Sequence, residues 1–308
     1  MKKILSIIFA VIFCFGLVAC GGNEDGGKDD GLKYTELSNG TYSVSKYEGE
    51  DTVVVIPEIK DGKNVTKISN DAFAGKQFTE ITIPSSIVEI GTDAFVSCSK
   101  LTKVNYLGTI DNWAEIKFGS ADSNPISISK NLVIGGSKVT TIALTTATLV
   151  SDYAFFSYTP LTTVDIGDNV VTVGKSAFDG CSMLYNLTLG DKVERFEYRS
   201  FGTCNSLTEV IFTNSVKTLC AESFRDCANL QSIYIPASVE VIEKAAFNYD
   251  SSLVSAVFEV TEGWYVSTGE NAATGIDIDP EVMADAKEVA ELLSVKMYDD
   301  NHYWRRAK

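Results

Sequence analysis

Seven cysteines and a single histidine are the residues of this 308-residue chain best suited to chemistry. Four of the cysteines, Cys98, Cys181, Cys204 and Cys227, recur three residues after a phenylalanine. Thiols at fixed spacing raise a metal site, a disulfide framework or a reactive pair as options. Their regularity argues against all of these. Side chains that take the same place in successive copies stack and point the same way, which is poor disulfide geometry and cannot converge tetrahedrally on zinc. The expectation is a column of small, buried, apolar cysteines. Cys220 stands outside the column, on an expected turn. His302, the only histidine, lies in the tail, where a Ser–His or Cys–His pair has no support. Ser-x-x-Lys, the spacing of a lysine-activated serine, occurs at Ser43/Lys46, Ser97/Lys100 and Ser127/Lys130 without companion motifs, as chance would place it. Asp277 and Asp279 hint at calcium, but Asp279 is better used as a helix cap. No glycine-rich phosphate loop is present. No catalytic residue, metal or cofactor is expected, and the chain does not read as an enzyme.

The cysteines belong to a unit written seven times. Its phenylalanine recurs at Phe73, Phe95, Phe155, Phe178, Phe201, Phe224 and Phe247, in steps of 22, 60 and then four of 23 residues. A period in the twenties marks a solenoid, in which each copy is one rung and none folds alone. Ala or Ser precedes every Phe, and an apolar residue stands four positions before that, as in Val173, Ala177 and Phe178. Phe178, Cys181 and Leu184 follow at intervals of three, which aligns them on one face of a tight 3₁₀-like turn. The unit ends in alternation, as in Leu207, Val210 and Phe212, and so in a short strand with one face inward. A lone rung buries too little to offset the ordering of its backbone. Stacking adds strand-to-strand hydrogen bonds and covers each open end. The expected fold is an α/β solenoid of short parallel strands and short 3₁₀ or helical turns, with a one-helix cap at its C-terminal end.

Composition narrows the partners. At 45% hydrophobic and 10% aromatic residues the chain has ample material for a core. A formal charge of −15, with scattered basic residues, makes it a poor nucleic-acid binder. The same charge is repelled by anionic lipid, so membrane attachment must be covalent or through a partner. The outward face of the strands is the best place to look for a protein contact. Its central column reads Thr82, Asn105, Ala143, Asp165, Thr188, Ile211, Tyr234 and Val257, passing from polar to apolar, and Tyr185 on a neighbouring column extends the apolar part. An apolar strip rimmed by polar residues is a candidate contact surface. Packing along the sheet, or under the cap, is the alternative use of the same side chains.

Along the chain, Met1-Lys2-Lys3 is followed by an apolar run from Ile4 to Val18, short for a membrane span and right for a signal peptide. It ends Leu17-Val18-Ala19-Cys20, which resembles the lipobox of bacterial lipoproteins. That resemblance implies a signal peptide over 1–19, cleavage before Cys20, and a lipid on its sulfur that tethers the protein to the membrane. Residues 20–33 are rich in glycine and charge and read as a flexible tether. Lys28-Asp29-Asp30 is similar to a surface-sorting signal of some lipoproteins, or is plain solvated linker. The solenoid is expected over 34–260. The step of 60 residues holds an insertion near 107–138 carrying Trp113, Ile116 and Phe118. Insertions in repeat proteins tend to be surface loops on the binding side, so Trp113 is either a binding residue or an anchor for the excursion. Leu132-Val133-Ile134 before Gly135-Gly136 predicts a hairpin into the next rung. Residues 261–308 are the expected cap, with a helix opened by Asp279 and Pro280 and an apolar face of Val282, Ala286, Val289, Leu292 and Leu293.

The motif I-x-x-x-A-F-x-x-C-x-x-L-x-x-V-x-I-P, carried by Ile90, Ala94, Phe95, Cys98, Leu101 and Val104 and by Leu219, Ser223, Phe224, Cys227, Leu230, Ile233, Ile235 and Pro236, resembles the BspA-like leucine-rich repeats of bacterial surface proteins. Gly108 to Trp113 is also similar to an insertion of that family. Lys76 and Tyr158 depart from it where Cys is expected, and Phe196 replaces an aliphatic residue. The resemblance implies a right-handed parallel-strand superhelix on an exported protein of the cell envelope, at the outer-membrane surface or outside the cell. It implies adhesion to a protein partner, host matrix or another cell surface. A structural or glycan-binding role in the envelope is the alternative, and the family brings no catalytic residues.

Overall fold

The computed structural model describes residues 30–269, 275–296 and 302–307. The expected signal peptide and Cys20 lie outside the described residues. The chain winds as a solenoid with a front sheet, a back sheet and a turn that carries the repeated phenylalanine. Front strands Val53–Val55, Glu80–Ile83, Lys103–Tyr106 and Leu132–Ile134 pair in parallel register. Back strands Tyr42–Tyr47, Lys63–Ile68, Glu89–Ile90 and Lys117–Phe118 do the same. A second run of both sheets starts at Thr141–Ala143 and Leu149–Val150. The phenylalanines line up along the axis. Ring centroids are 5.1 Å apart for Phe73–Phe95 and Phe155–Phe178, 4.9 Å for Phe178–Phe201, 5.3 Å for Phe201–Phe224 and 5.7 Å for Phe224–Phe247.

The turn holds a feature that the residue pattern did not reveal. The i→i+3 bonds are present, such as Cys98 N–H to Phe95 at 3.1 Å and Leu101 N–H to Cys98 at 3.0 Å. Between them the residues two before and two after each Phe are left-handed: Asp71 and Gly75, Ser176 and Gly180, Arg199 and Thr203, Glu222 and Asp226, Ala245 and Tyr249 all have φ between 49° and 80°. Left-handed backbone is costly for residues with a Cβ. Alternating hand turns the N–H groups toward the next rung and the carbonyls toward the previous one. Ser176, Phe178 and Gly180 thus donate to Tyr198, Ser200 and Gly202 at 2.9, 2.8 and 2.9 Å. Three ladder bonds per step offset the strain. The turn is therefore a third ladder, with a donor end and an acceptor end.

The thiol column has its own place in that ladder. Cys98, Cys181, Cys204 and Cys227 are buried, and their Sγ atoms reach the carbonyls of Phe73, Phe155, Phe178 and Phe201 at 3.0, 3.3, 3.4 and 3.2 Å. Each thiol donates to the phenylalanine of the previous rung. Cysteine is small enough for the slot and still carries a weak donor. Tyr158, at the same position, sends its hydroxyl to the Val139 carbonyl at 2.7 Å. Cys220 is buried, where a turn position was expected, with Sγ 3.7 Å from Glu197.

The segment near 107–138 is a remodelled rung and not a free loop. Lys117–Phe118 and Leu132–Ile134 occupy ordinary ladder places, and Phe118 and Leu132 fill the core. The hairpin after Leu132–Ile134 forms as expected, with Gly135 and Gly136 at φ 58° and 80°. Beyond it both sheets stop pairing, and side chains take over. The helix Ile110–Glu115 is opened by a Thr109/Asn112 capping box. From it the Asp111 carboxylate accepts the N–H groups of Thr145, Thr146 and Ala147, each at 2.8 Å. Glu115 accepts the Thr148 N–H at 2.8 Å, and the Ser151 N–H reaches the Ala114 carbonyl at 2.8 Å. Trp113 is fully buried and its Nε1–H donates to the Ala154 carbonyl at 2.9 Å. Asn124 donates to Tyr153 and Ala154 at 2.8 and 2.9 Å, and Lys130 to Ser157. On the other side, Ser120 Oγ and the Asp122 carbonyl accept the N–H groups of Asp93 and Phe95, both at 3.1 Å. The donor end of one half and the acceptor end of the other each meet groups of the right polarity.

At the C-terminal end, Tyr303–Arg306 runs antiparallel to Val241–Ile242 and joins Trp264–Ser267, with Trp264 and Trp304 buried beside Phe258. Asp279 caps its helix as expected, accepting the Glu281 N–H at 2.9 Å. The expected single helix is in two pieces, Pro280–Ala284 and Ala286–Glu291. Asp285 breaks it: its carboxylate accepts the N–H groups of Lys287 and Glu288 and starts the second piece, whose Val289 and Ala290 close the last rung.

Candidate functional site

The sequence-predicted column is continuous in register within each stretch of sheet. Ile211 faces Tyr234, which faces Val257. Ala143, Asp165 and Thr188 form the middle run. Ile211 is 60% exposed and Val257 45%, while Tyr234 is half-buried. Desolvation, and then the carboxylate of Glu259, hold the Tyr234 phenol above its ordinary pKa. A carboxylate thus rims the strip. Val254, 60% exposed just before the last front strand, was not singled out from the sequence.

Tyr185 is 61% exposed, on the column that holds Thr79, Thr102 and Thr162 in earlier rungs. Thr79, Thr102 and Thr162 each donate a hydroxyl to the threonine carbonyl of the previous rung at 3.0 Å. Tyr185 interrupts this ladder, and beyond it Asn186–Thr188 and Glu209–Ile211 do not pair, although the back strands Arg195–Phe196 and Thr218–Leu219 do. The structure therefore brings Ile211, Tyr234 and Val257 together and leaves Tyr185 across a seam in the front sheet. Trp113 leaves the set of contact residues. Its full burial, and the bond from its indole to Ala154, make it an anchor that no partner reaches.

The column does not begin polar. Its first member is Val55, paired with Thr82 and 57% exposed, beside Val53 at 49%. Val133, in the remodelled rung, follows Asn105. Val133 also lines a second feature, a front-face cleft of about 1050 Å³ bounded by Thr82, Asn105, Leu107, Ile110, Ile134 and Lys138.

The chemistry-bearing residues are spent on structure. Burial pushes the Cys98 thiol up to about 11 and the Cys220 thiol up to about 12, far from a reactive thiolate. Ser127 donates to the Asn124 carbonyl and Lys130 to Ser157, so that Ser-x-x-Lys pair is not joined. Among the described residues no His/Cys/Asp/Glu group is placed to hold a metal ion, and no helix is long and apolar enough to cross a membrane.

The repeat matches a known family. The model for the BspA type leucine-rich repeat region matches residues 52–148 and 134–254, in 6 copies. Among solved structures the chain is similar to a leucine-rich repeat protein of Bacteroides ovatus, at 24% identity over 74% of this chain and 70% of that one, with a TM-score of 0.46. It is also similar to a leucine-rich cell surface protein of Faecalibacterium prausnitzii, at 22% identity over 76% of each chain and a TM-score of 0.44. The T. pallidum leucine-rich repeat protein follows at 21% identity over 67% of this chain and 80% of that one, TM-score 0.39. No curated protein matches. Solenoids of this kind are typically non-enzymatic, surface-type repeat proteins that generally bind other proteins. With the repeat match running through most of the solenoid, the chain belongs to the BspA-type leucine-rich repeat family.

Proposed function

We propose that this is a cell-surface adhesion protein of the bacterial envelope, held by a lipid on Cys20 and binding a protein partner through the front face of its C-terminal half. The observation that carries this reading is the exposed apolar run of Ile211, Tyr234 and Val257 in adjacent register. Isolated exposed apolar residues are ordinary, but a contiguous strip with a polar rim is typical of contact surfaces. The chain's net charge of −15 favours basic, partly apolar surfaces of host matrix or neighbouring cells. The test compares capture by wild type and by Ile211→Asp with Tyr234→Asp, using host-matrix extract and intact neighbouring bacteria. Capture should fall at least tenfold, the size expected when an interface anchor is lost. Unchanged capture with a folded variant removes the strip from the interface.

A second reading, glycan binding, is favoured by the front-face cleft. Its floor offers the hydroxyl and amide of Thr82 and Asn105, and its walls offer the apolar Leu107 and Ile134. Glycan-array binding that disappears in Asn105→Ala, without protein capture, would select it. Protease added to intact cells tests the location: degradation is expected, and full protection contradicts adhesion.

A further inference from the structure

Phe247 closes the series of repeats, and the residue three after it, where the other rungs place Cys, Tyr158 or, in the first, Lys76, is Asp250. Asp250 is completely buried. Its Oδ1 accepts the Cys227 N–H at 2.7 Å, while its Oδ2 is buried with no hydrogen-bond partner. The neighbouring acceptor is in the matching situation. In the preceding rungs the phenylalanine carbonyl takes a thiol from the next rung, as Phe201 does from Cys227 at 3.2 Å. It can also take the N–H three residues on, as Phe178 does from Cys181 at 3.1 Å. For Phe224 both donors are missing among the described residues: the Cys227 N–H is diverted to Asp250, and the next rung has no thiol. One buried carboxyl oxygen and one buried carbonyl are thus left at the same place in the column, each an acceptor as an ionised carboxylate would have it. Two orphaned buried acceptors would be costly, and one proton between them satisfies both.

We propose that Asp250 is held as the neutral acid and is the last donor of the thiol column, its Oδ1 accepting the Cys227 N–H and its Oδ2–H donating to the Phe224 carbonyl. The last rung is thereby latched onto the one before it by a single proton. Burial first, and then the nearby Cys227 thiol, push this carboxyl well above its ordinary range, against the pull of the Cys227 N–H. The ionisable neighbours are Cys227 and Asp226 on the preceding turn, with Arg225 paired to Asp226 at 3.6 Å. On the cap side, His302 lines the same end of the column next to Phe247 and Asn248. Neither acidic neighbour supplies a compensating positive charge.

The sign of the pH dependence follows from a raised folded-state pKa on an acid. The folded protein keeps a proton that the unfolded chain releases above the ordinary carboxylate range. Stability from this group therefore falls as pH rises from that range toward the raised value. The test measures the Asp250 carboxyl ¹³C shift against pH in the full chain, assigned through its bonds to the Asp250 backbone, together with unfolding midpoints. The carboxyl should stay protonated above the ordinary carboxylate range, and the wild-type midpoint should drop as pH rises from that range. Asp250→Asn keeps an acceptor and a donor in place, so it should fold and flatten that drop, while Asp250→Ala should lose last-rung protection in hydrogen exchange at every pH. A carboxyl shift that titrates in the ordinary range overturns the proposal, even if the Asn variant fails to fold. So does a pH profile that Asp250→Asn leaves unchanged.

Discussion

The solenoid is interrupted twice, once in the middle and once at its C-terminal end, and the two interruptions are finished differently. In the middle, the remodelled rung meets cut ladders on both sides with side chains of opposite polarity. Asp111 and Glu115 accept where the second half presents N–H groups, and Trp113, Asn124 and Lys130 donate where it presents carbonyls. At the end, the last turn points its donors toward the cap, and the N–H groups of Ala245 and Phe247 meet no acceptor among the described residues. The ring spacing also opens there, to 5.7 Å and 15° between Phe224 and Phe247. A polar ladder needs a polarity-matched terminus, and among the described residues the splice supplies more of that match than the cap. Stability should therefore be spread evenly across the splice and fall off toward the last rung.

The two aspartates make the contrast chemical. At Asp111 burial pushes the carboxyl up, but the N–H groups of Thr146, Ala147 and Thr145 outweigh it and hold the group below its ordinary range. A depressed folded-state pKa contributes stability above the ordinary carboxylate range and loses it as pH falls through the depressed value. Asp250 works with the opposite sign. Acid should loosen the splice, and alkali should loosen the end.

The largest effect should come from Trp113→Ala, which removes a fully buried indole and leaves the Ala154 carbonyl to Asn124 alone. A loss of about 3–5 kcal/mol is expected, with the single unfolding transition splitting in two as the halves uncouple. Calorimetry reads this, and one undivided transition would break the comparison. Next is Asp111→Ala, which strands three N–H donors and should cost roughly 2–4 kcal/mol at neutral pH. The deficit should shrink in acid, where wild type also loses the carboxylate. A chemical-denaturation series against pH measures it. Smallest is Cys181→Ala, expected to cost about 1 kcal/mol for one weak hydrogen bond and a small void, with Cys181→Ser closer to wild type. A loss well above that would mean that the thiol column has a role beyond packing and the Phe155 contact.

Much of this was legible in the residues. The phenylalanine spacing predicted the stacked rings, and the alternation in each strand predicted which residues of the outer column face solvent together. Asp279 and Pro280 predicted a helix start. The left-handed turn was not legible, because Asp71, Arg199, Glu222 and Ala245 share no residue type; the strain is offset by bonds to the next rung, which a single rung does not display. Asp111 and Asn124 were also silent, since their partners lie some 30 residues away and only the stacked structure brings them together. Trp113 was open between contact and anchor because a lone tryptophan in an insertion serves either, and burial decides. Asp250 was readable in principle: it sits at the thiol position of its rung, and counting three from Phe247 finds it.

Native-state hydrogen exchange at Thr145, Thr146 and Ala147 tests the splice most directly. These amides lie outside any strand, in a segment that would exchange as fast as a loop if Asp111 did not hold them. They should be protected to the same degree as the ladder amides of Phe155 and Phe178, and lose that protection together in Asp111→Ala. Fast exchange in the wild-type protein, with Phe155 and Phe178 still protected, would contradict the account.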